Sequence, residues 1–410
     1  MIDILVYTIF TLLTANACSI FEGQNWAQIV VLILLLFLYY FRNCRIDKNI
    51  LLVVGVWCVI NAISYWLNRG GDFDLFTFLS VTTRMLFSYL MLKIVGVNFF
   101  KGLFNYWFTL SILGFPFFIV ESLFPSFVQS LSPVLNFMTQ AEQKESGGFY
   151  LFFYMHSGWA QFIGAIVRNS GFMWEPGAFG CVLTFMIVYR LFDNEFRIDK
   201  KVVFLIICLF STFSTSAYLA LFFIILFYFI KNPTTYRRYN AILPILILAI
   251  AIAGYAFYQS TDFMSGKIDK YEEMGTKSWN RSFGEYHVKR VSRLGIFILA
   301  LENSVYSPWG DGVITSNFLM EKGNPQGPNS WAHVLLQWGW LGVIVLIYSL
   351  YNFRIKGQRC GLILLIPLSF PLFSNPFAFR TLIYAIVFSV LCVHEVPDDI
   401  EEEKHMATSL

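Results

Sequence analysis

The chain has 410 residues, 57% of them hydrophobic and only 13% charged, with a mean hydropathy of +0.61. A soluble domain carries about 25% charged residues to cover its surface, so a soluble globular protein is excluded and the apolar stretches must face lipid or one another. The net charge of +3 is too small to suggest a nucleic-acid partner.

About twelve apolar segments follow one another, beginning near Ile2, Trp26, Ile50, Leu75, Gly102, Trp174, Val202, Tyr218, Ala241, Ser330, Gly361 and Phe377. Several are short for a hydrocarbon core that needs roughly 20 residues. The first lacks a basic leader and a small-residue cleavage site, which predicts a retained span. "STFSTS" and "SNPFAFR" are the only polar breaks in two of the pairs. Each such pair predicts a helical hairpin turning at the membrane surface or partly inside it.

Lys and Arg placement gives orientation. Arg42, Arg45 and Lys48, then Lys93 and Lys101, then Arg190, Arg197, Lys200 and Lys201, then Lys231, Arg237 and Arg238, and finally Arg354, Lys356 and Arg359 fall on one face of a twelve-span alternation. The short opposite loops offer only Arg69 and Arg380. By the positive-inside rule the basic face and both termini are cytoplasmic. The expectation is an all-α polytopic membrane protein: spans over 1–120, a long extracytoplasmic loop over 121–173, spans over 174–258, a second long loop over 259–329, spans over 330–394 and an acidic tail over 395–410. The long loops are aromatic, with Gly and Pro as punctuation, and predict short interfacial helices capping the bundle. None of the seven cysteines falls in them, so neither a disulfide framework nor a CxxC metal site is implied.

Four places could carry chemistry. In "RNSGFMWEPGAFG" (168–180), Arg168 offers a planar donor fork matched to phosphate oxygens, or snorkels to the interface. Glu175, ahead of Pro176 at a helix start, fits an N-cap or a carboxylate at a cavity mouth, as sugar binder or general base. In "NRSFGEYHVKRVSRLGIFILAL", Arg281, His287, Lys289, Arg290 and Arg293 concentrate charge where the positive-inside rule disfavours it. Helix from Glu285 onward would put His287, Arg290 and Arg293 on one face, as a rail for a diphosphate or as an amphipathic helix on anionic headgroups. In "SPWGDGVITSN" and "GPNSWAHVLLQWGWLG", Asp311 could orient an arginine or bind a sugar hydroxyl. His333 is either a packed helix residue or a proton-transfer group. Arg84 lies mid-span, where an arginine costs roughly 2.5 to 3.5 kcal/mol, so it should face protein, water or a charged ligand; Glu121 is a possible partner.

In order, "RNSGFMWEPGAFG", "STSAY", "SRLGIFILAL" before "SPWGDG", and "PNSWAHVLLQWGWLG" resemble the O-antigen polymerase and ligase superfamily, best its Wzy-type polymerases, over roughly the C-terminal 60% of the chain. The resemblance implies a GT-C-like glycosyltransferase needing no metal or other cofactor. It would sit in the bacterial inner membrane and join undecaprenyl-diphosphate-linked donor and acceptor glycans at its outer face, with a flippase and a chain-length regulator as possible partners. It carries a diphosphate-holding role to Arg168, Arg290 and Arg293, and leaves the base open between Glu175 and His333. Related ligases place a His-Asn pair where this chain has Pro328 and Asn329, which favours polymerase over ligase and keeps Asn329 as a candidate substrate contact. A polysaccharide flippase or transporter is the rival from another class. It would predict short loops on both sides and internal repeats.

Overall fold

The computed structural model describes residues 2–15, 25–68, 73–124, 126, 147–150, 153–156, 162–163, 166–232, 279–283, 286–322 and 327–392. The apolar segment expected from Ala241 and the acidic tail lie outside them. The described chain is mostly helical: α1 (Ile2–Ala15), α2 (Asn25–Phe41), α3 (Lys48–Leu67), α4 (Leu75–Val95), α5 (Phe99–Leu123), α6 (Pro176–Asp193), α7 (Lys200–Ser211), α8 (Thr215–Lys231), α9 (Arg293–Tyr306), α10 (Asn317–Glu321), α11 (Ser330–Asn352), α12 (Leu362–Ser374) and α13 (Thr381–Leu391). Among the described residues four stretches are long and apolar enough to cross a membrane: Lys48–Leu67, Leu75–Leu123 (α4 and α5 joined by a 3-10 turn), Pro176–Asp193 and Ser330–Asn352. Shorter apolar helices accompany them. Large apolar side chains such as Ile33, Phe37, Leu51, Val59, Leu113 and Ile344 stand exposed on the helices. Such a surface is costly in water and ordinary against lipid. The described chain is mostly helical, and its long apolar helices are those of a membrane protein by length and composition.

Helix starts follow from local chemistry. Asp74, Asp199, Ser292 and Asn329 each accept a backbone N–H from the first turn of α4, α7, α9 and α11, satisfying donors that a helix start leaves bare. α6 packs among α7, α8 and α12, and α13 among α4 and α11. α6 is buried along nearly its whole length, which makes it the central post of the bundle.

One end of the bundle is laced by ions. Arg42 pairs with Asp3 at 3.1 Å, Lys93 with Asp47 at 2.9 Å, and Lys356 with Asp193 at 3.1 Å. Arg190 joins Asp193 and Asp199 across the α6–α7 turn. Arg42, Lys93, Arg190 and Lys356 all belong to the basic series that the positive-inside argument had placed together.

The described parts of the first long loop are strands where short helices were expected, while the second carries α9 and the short helix α10 as well as strands. Described parts of the first form two antiparallel hairpins, β1 (Gly147–Tyr150) with β2 (Phe153–His156) and β3 (Phe162–Ile163) with β4 (Ile166–Val167). In the second, β5 (Trp279–Phe283) pairs with β6 (Tyr286–Arg290); outside both long loops, β7 (Arg354–Ile355) with β8 (Gln358–Arg359) forms a turn after α11. The helix expected from Glu285 is therefore a strand up to Arg290, and helix begins only at Arg293, behind its Ser292 cap. His287, Arg290 and Arg293 do not share a helical face. Tyr286 and Val288 are aromatic and β-branched, residues that favour a pleated strand.

Part of the second loop is not an outer cap either. Residues 307–317 run between α3 and α11. The backbone N–H of Val313 donates to Asn61 Oδ1 at 2.9 Å and that of Asn317 to Asn68 Oδ1 at 3.3 Å. On the other side α11 is broken at Gly339, whose φ is 62°. The loop completes the broken ladder: Asp311 N–H donates to the Leu336 carbonyl at 2.6 Å, Gly312 N–H to Gln337 at 3.1 Å, and Trp340 N–H to the Pro308 carbonyl at 3.0 Å. A Cβ at Gly310 or Gly339 would collide with the facing backbone, so both motif glycines are needed for this contact. Irregular backbone survives within a membrane bundle only when protein satisfies it in this way.

Candidate functional site

At the end of the bundle away from the ion pairs, three helix starts converge. Ser330, the first residue of α11, is fully buried. Its hydroxyl accepts the N–H groups of Phe377 (2.7 Å) and Ala378 (2.9 Å) and donates to the Asn375 carbonyl at 2.5 Å. One side chain thus fixes the turn between α12 and α13. Gly177 lets the first turn of α6 lie directly on Asn375; a Cβ there would strike the amide. This framework presents Arg380, the residue ahead of α13, toward Trp174 and Glu175, the residues ahead of α6.

The Arg380 guanidinium lies over the Trp174 ring at 4.7 Å from its centre, and Trp174 stacks on Phe377 at 6.2 Å with planes 15° apart. Arg380 feels the like charge of Arg84, from α4, and the opposite charge of Glu175. Arg84 in turn acts on the Tyr384 hydroxyl. Two guanidiniums and one carboxylate leave an excess of positive charge in a largely desolvated place. A guanidinium keeps its proton under such stress, so the arrangement favours an anion, above all one with several oxygens to match two donor forks.

Glu175 stands at the N-cap position of α6, but its side chain makes no capping hydrogen bond. Capping does not occupy this carboxylate, and it interacts with Arg380 instead. Of the two readings the sequence allowed, the position is that of a cap, but the side chain makes no capping hydrogen bond.

The remaining candidates fall elsewhere. Arg168 donates from Nε to the Thr212 carbonyl at 3.1 Å and from Nη2 to that of Phe213 at 3.2 Å, while Asn169 holds Ser211 through backbone and side chain. Arg168 thereby clasps the α7–α8 turn. Asn329 caps α11 and donates to the Arg293 carbonyl at 3.0 Å, tying the starts of α9 and α11. Asp311 is buried, accepting from Asn303 Nδ2 at 2.6 Å, and Ser316 donates to Asn303 Oδ1 at 2.8 Å. It stiffens the re-entrant loop. His333 Nε2 meets the Gly327 carbonyl at 2.9 Å. A carbonyl only accepts, which assigns the proton to Nε2 and leaves Nδ1 as the basic nitrogen. Its ring packs edge-on to Phe379 at 6.4 Å. Glu121 is buried in the last turn of α5. Arg281 stands opposite Val288, and His287 opposite Ser282, in the β5–β6 register.

Sequence reasoning thus reached Arg84 and Glu175 but missed Arg380 as a site residue. The signal was present: Arg380 is one of two basic residues that break the charge alternation of the short loops. Among the described residues no group of three or more His, Cys, Asp or Glu side chains gathers as a metal site would require. Comparison with protein families, curated proteins and solved structures finds no match.

Proposed function

We propose that the protein is a polymerase of lipid-linked glycans: a glycosyltransferase that joins undecaprenyl-diphosphate-linked repeat units into a surface polysaccharide. In this reading the chain crosses the bacterial inner membrane about twelve times in a GT-C-like arrangement. Both termini and the ion-paired end face the cytoplasm, and the Arg84–Glu175–Arg380 site faces outward. The observation that carries the reading is Glu175, a carboxylate at a helix start that makes no capping hydrogen bond and acts on Arg380, which in turn feels Arg84.

The chemistry follows from those groups. Glu175 takes the proton of the acceptor hydroxyl as that oxygen bonds to the donor's anomeric carbon. The bond from that carbon to the diphosphate breaks, its electron pair stays on the diphosphate, and Arg84 and Arg380 hold the charge that develops. Attack from the side opposite the diphosphate inverts the anomeric centre. Arg168 serves by fixing the α7–α8 turn, and the reading does not need Arg290 and Arg293 on one helical face. His333, bonded to a carbonyl through Nε2, is the weaker choice of base.

The test is incubation of the purified full chain with a defined undecaprenyl-diphosphate repeat unit, watching for a ladder of products. Glu175→Gln should lower the rate by about 10² to 10⁴-fold while substrate still binds. Absence of a ladder from the wild type, or an undiminished ladder from Glu175→Gln, would count against the reading.

A further inference from the structure

An apolar cleft of roughly 270 Å³ opens between α3, α4, α11 and α13. Val56, Met85, Val345 and Ile383 face it from the four helices. One end meets the charged site. Tyr384 lines the cleft with its ring while its hydroxyl feels Arg84, and Ala378 and Phe379 line it directly ahead of Arg380. The other end reaches Leu52, early in α3, and Leu391, at the close of α13. It therefore runs from the arginines toward the ion-paired end of the bundle.

A slot with hydrocarbon walls offers water no partners, and two guanidiniums at its head match an anion. Together they have the polarity of an amphiphile. We propose that the cleft holds the head-proximal part of a single polyprenyl chain whose diphosphate is gripped by Arg84 and Arg380. The identity of the chain rests on the polymerase reading. Two features favour it over a bilayer phospholipid: the cleft is one slot where a phospholipid brings two chains, and two arginines suit a diphosphate better than one phosphodiester.

The test titrates the detergent-solubilised full chain with a polyprenyl diphosphate bearing no sugar, read by native mass spectrometry. Val56→Trp and Val345→Trp fill the cleft from facing helices without touching the charges. Each should weaken binding about tenfold and leave the binding of inorganic diphosphate unchanged. A diazirine on the isoprenoid chain should label α3 and α13 peptides of the unaltered protein, a readout that needs no variant to fold. Wild-type affinity in both tryptophan variants, labelling confined to other helices, or displacement by phosphatidylglycerol at equal concentration would overturn the proposal. If the lipid binds as described but a glycan-bearing substrate gives no polymer, the polymerase reading falls and the cleft stands. Polymer formation with unaltered lipid binding in the tryptophan variants removes the cleft alone.

Discussion

The guanidinium of Arg380 rests on the indole face of Trp174, 4.7 Å from the ring centre. This contact joins the start of α13 to the start of α6 and sets where the second positive charge of the site can be. A desolvated cation–π contact contributes up to about 2 kcal/mol, enough to decide one rotamer of a long side chain. Trp174→Phe keeps a ring under the cation and should retain most activity. Trp174→Ala should lower kcat about tenfold or more, since a misplaced group of this kind costs orders of magnitude in rate. Steady-state rates of the two variants side by side check this; equal rates would mean the indole only fills space.

Ser330 carries a different load. Its hydroxyl makes three hydrogen bonds to the turn that presents Arg380, and removing it strands two backbone N–H groups in a buried place. Each such loss costs roughly 1 to 3 kcal/mol. Ser330→Ala should melt several degrees below wild type in detergent, with activity falling in parallel. A melting temperature unchanged by the substitution would contradict the assignment.

Gly339 and Gly310 meet backbone to backbone, and both have positive φ. Alanine at either position adds strain and a collision together, so the cost should exceed the ~1 kcal/mol typical of an unsuitable glycine replacement. Expression yield and thermal unfolding of Gly339→Ala and Gly310→Ala report it. Gly357, with open space around its Cβ position, provides a comparison in which only the backbone term acts.

Asp199 supplies a pH dependence. Burial pushes its carboxyl up, but the hydrogen bonds and charge of Arg190 outweigh that and hold it below the ordinary value of 3.8. Unfolding restores the ordinary value, so the unfolded chain takes up the proton first. The contribution is fully present above the ordinary carboxylate value and disappears as pH falls through the lowered one. Thermal melts should show stability dropping across that acid window in the wild type and a shallower drop in Asp199→Asn. Parallel curves for the two proteins would refute this role.

Much of the bundle was legible in the sequence because hydrophobic runs and Lys/Arg placement act over whole segments. The starts at Leu75 and Ser330 are where the polar-to-apolar switch put them. Glu175 and Arg84 stood out because ionisable groups in or beside apolar spans are costly. Their meeting with Arg380 was not legible, since it depends on how α4, α6 and α13 pack, and no local pattern encodes that. The tract ending at Arg290 misled for the opposite reason. Spacings of three in a charged run fit a helix, yet its aromatic and β-branched residues and a pairing partner in β5 favoured a strand. "SPWGDG" and "QWGWLG" follow one another in the sequence with no local signal that they touch. They are two halves of one contact.

That contact bears on how the protein is made. With its ladder interrupted at Gly339, α11 would enter lipid with the carbonyls of Leu336 and Gln337 bare, a cost of several kcal/mol for each. It is thus not a self-sufficient insertion unit, despite its length. The peptide that covers those carbonyls, residues 308–312, precedes it in the chain and leaves the ribosome first. Translation order therefore delivers the cover before the gap.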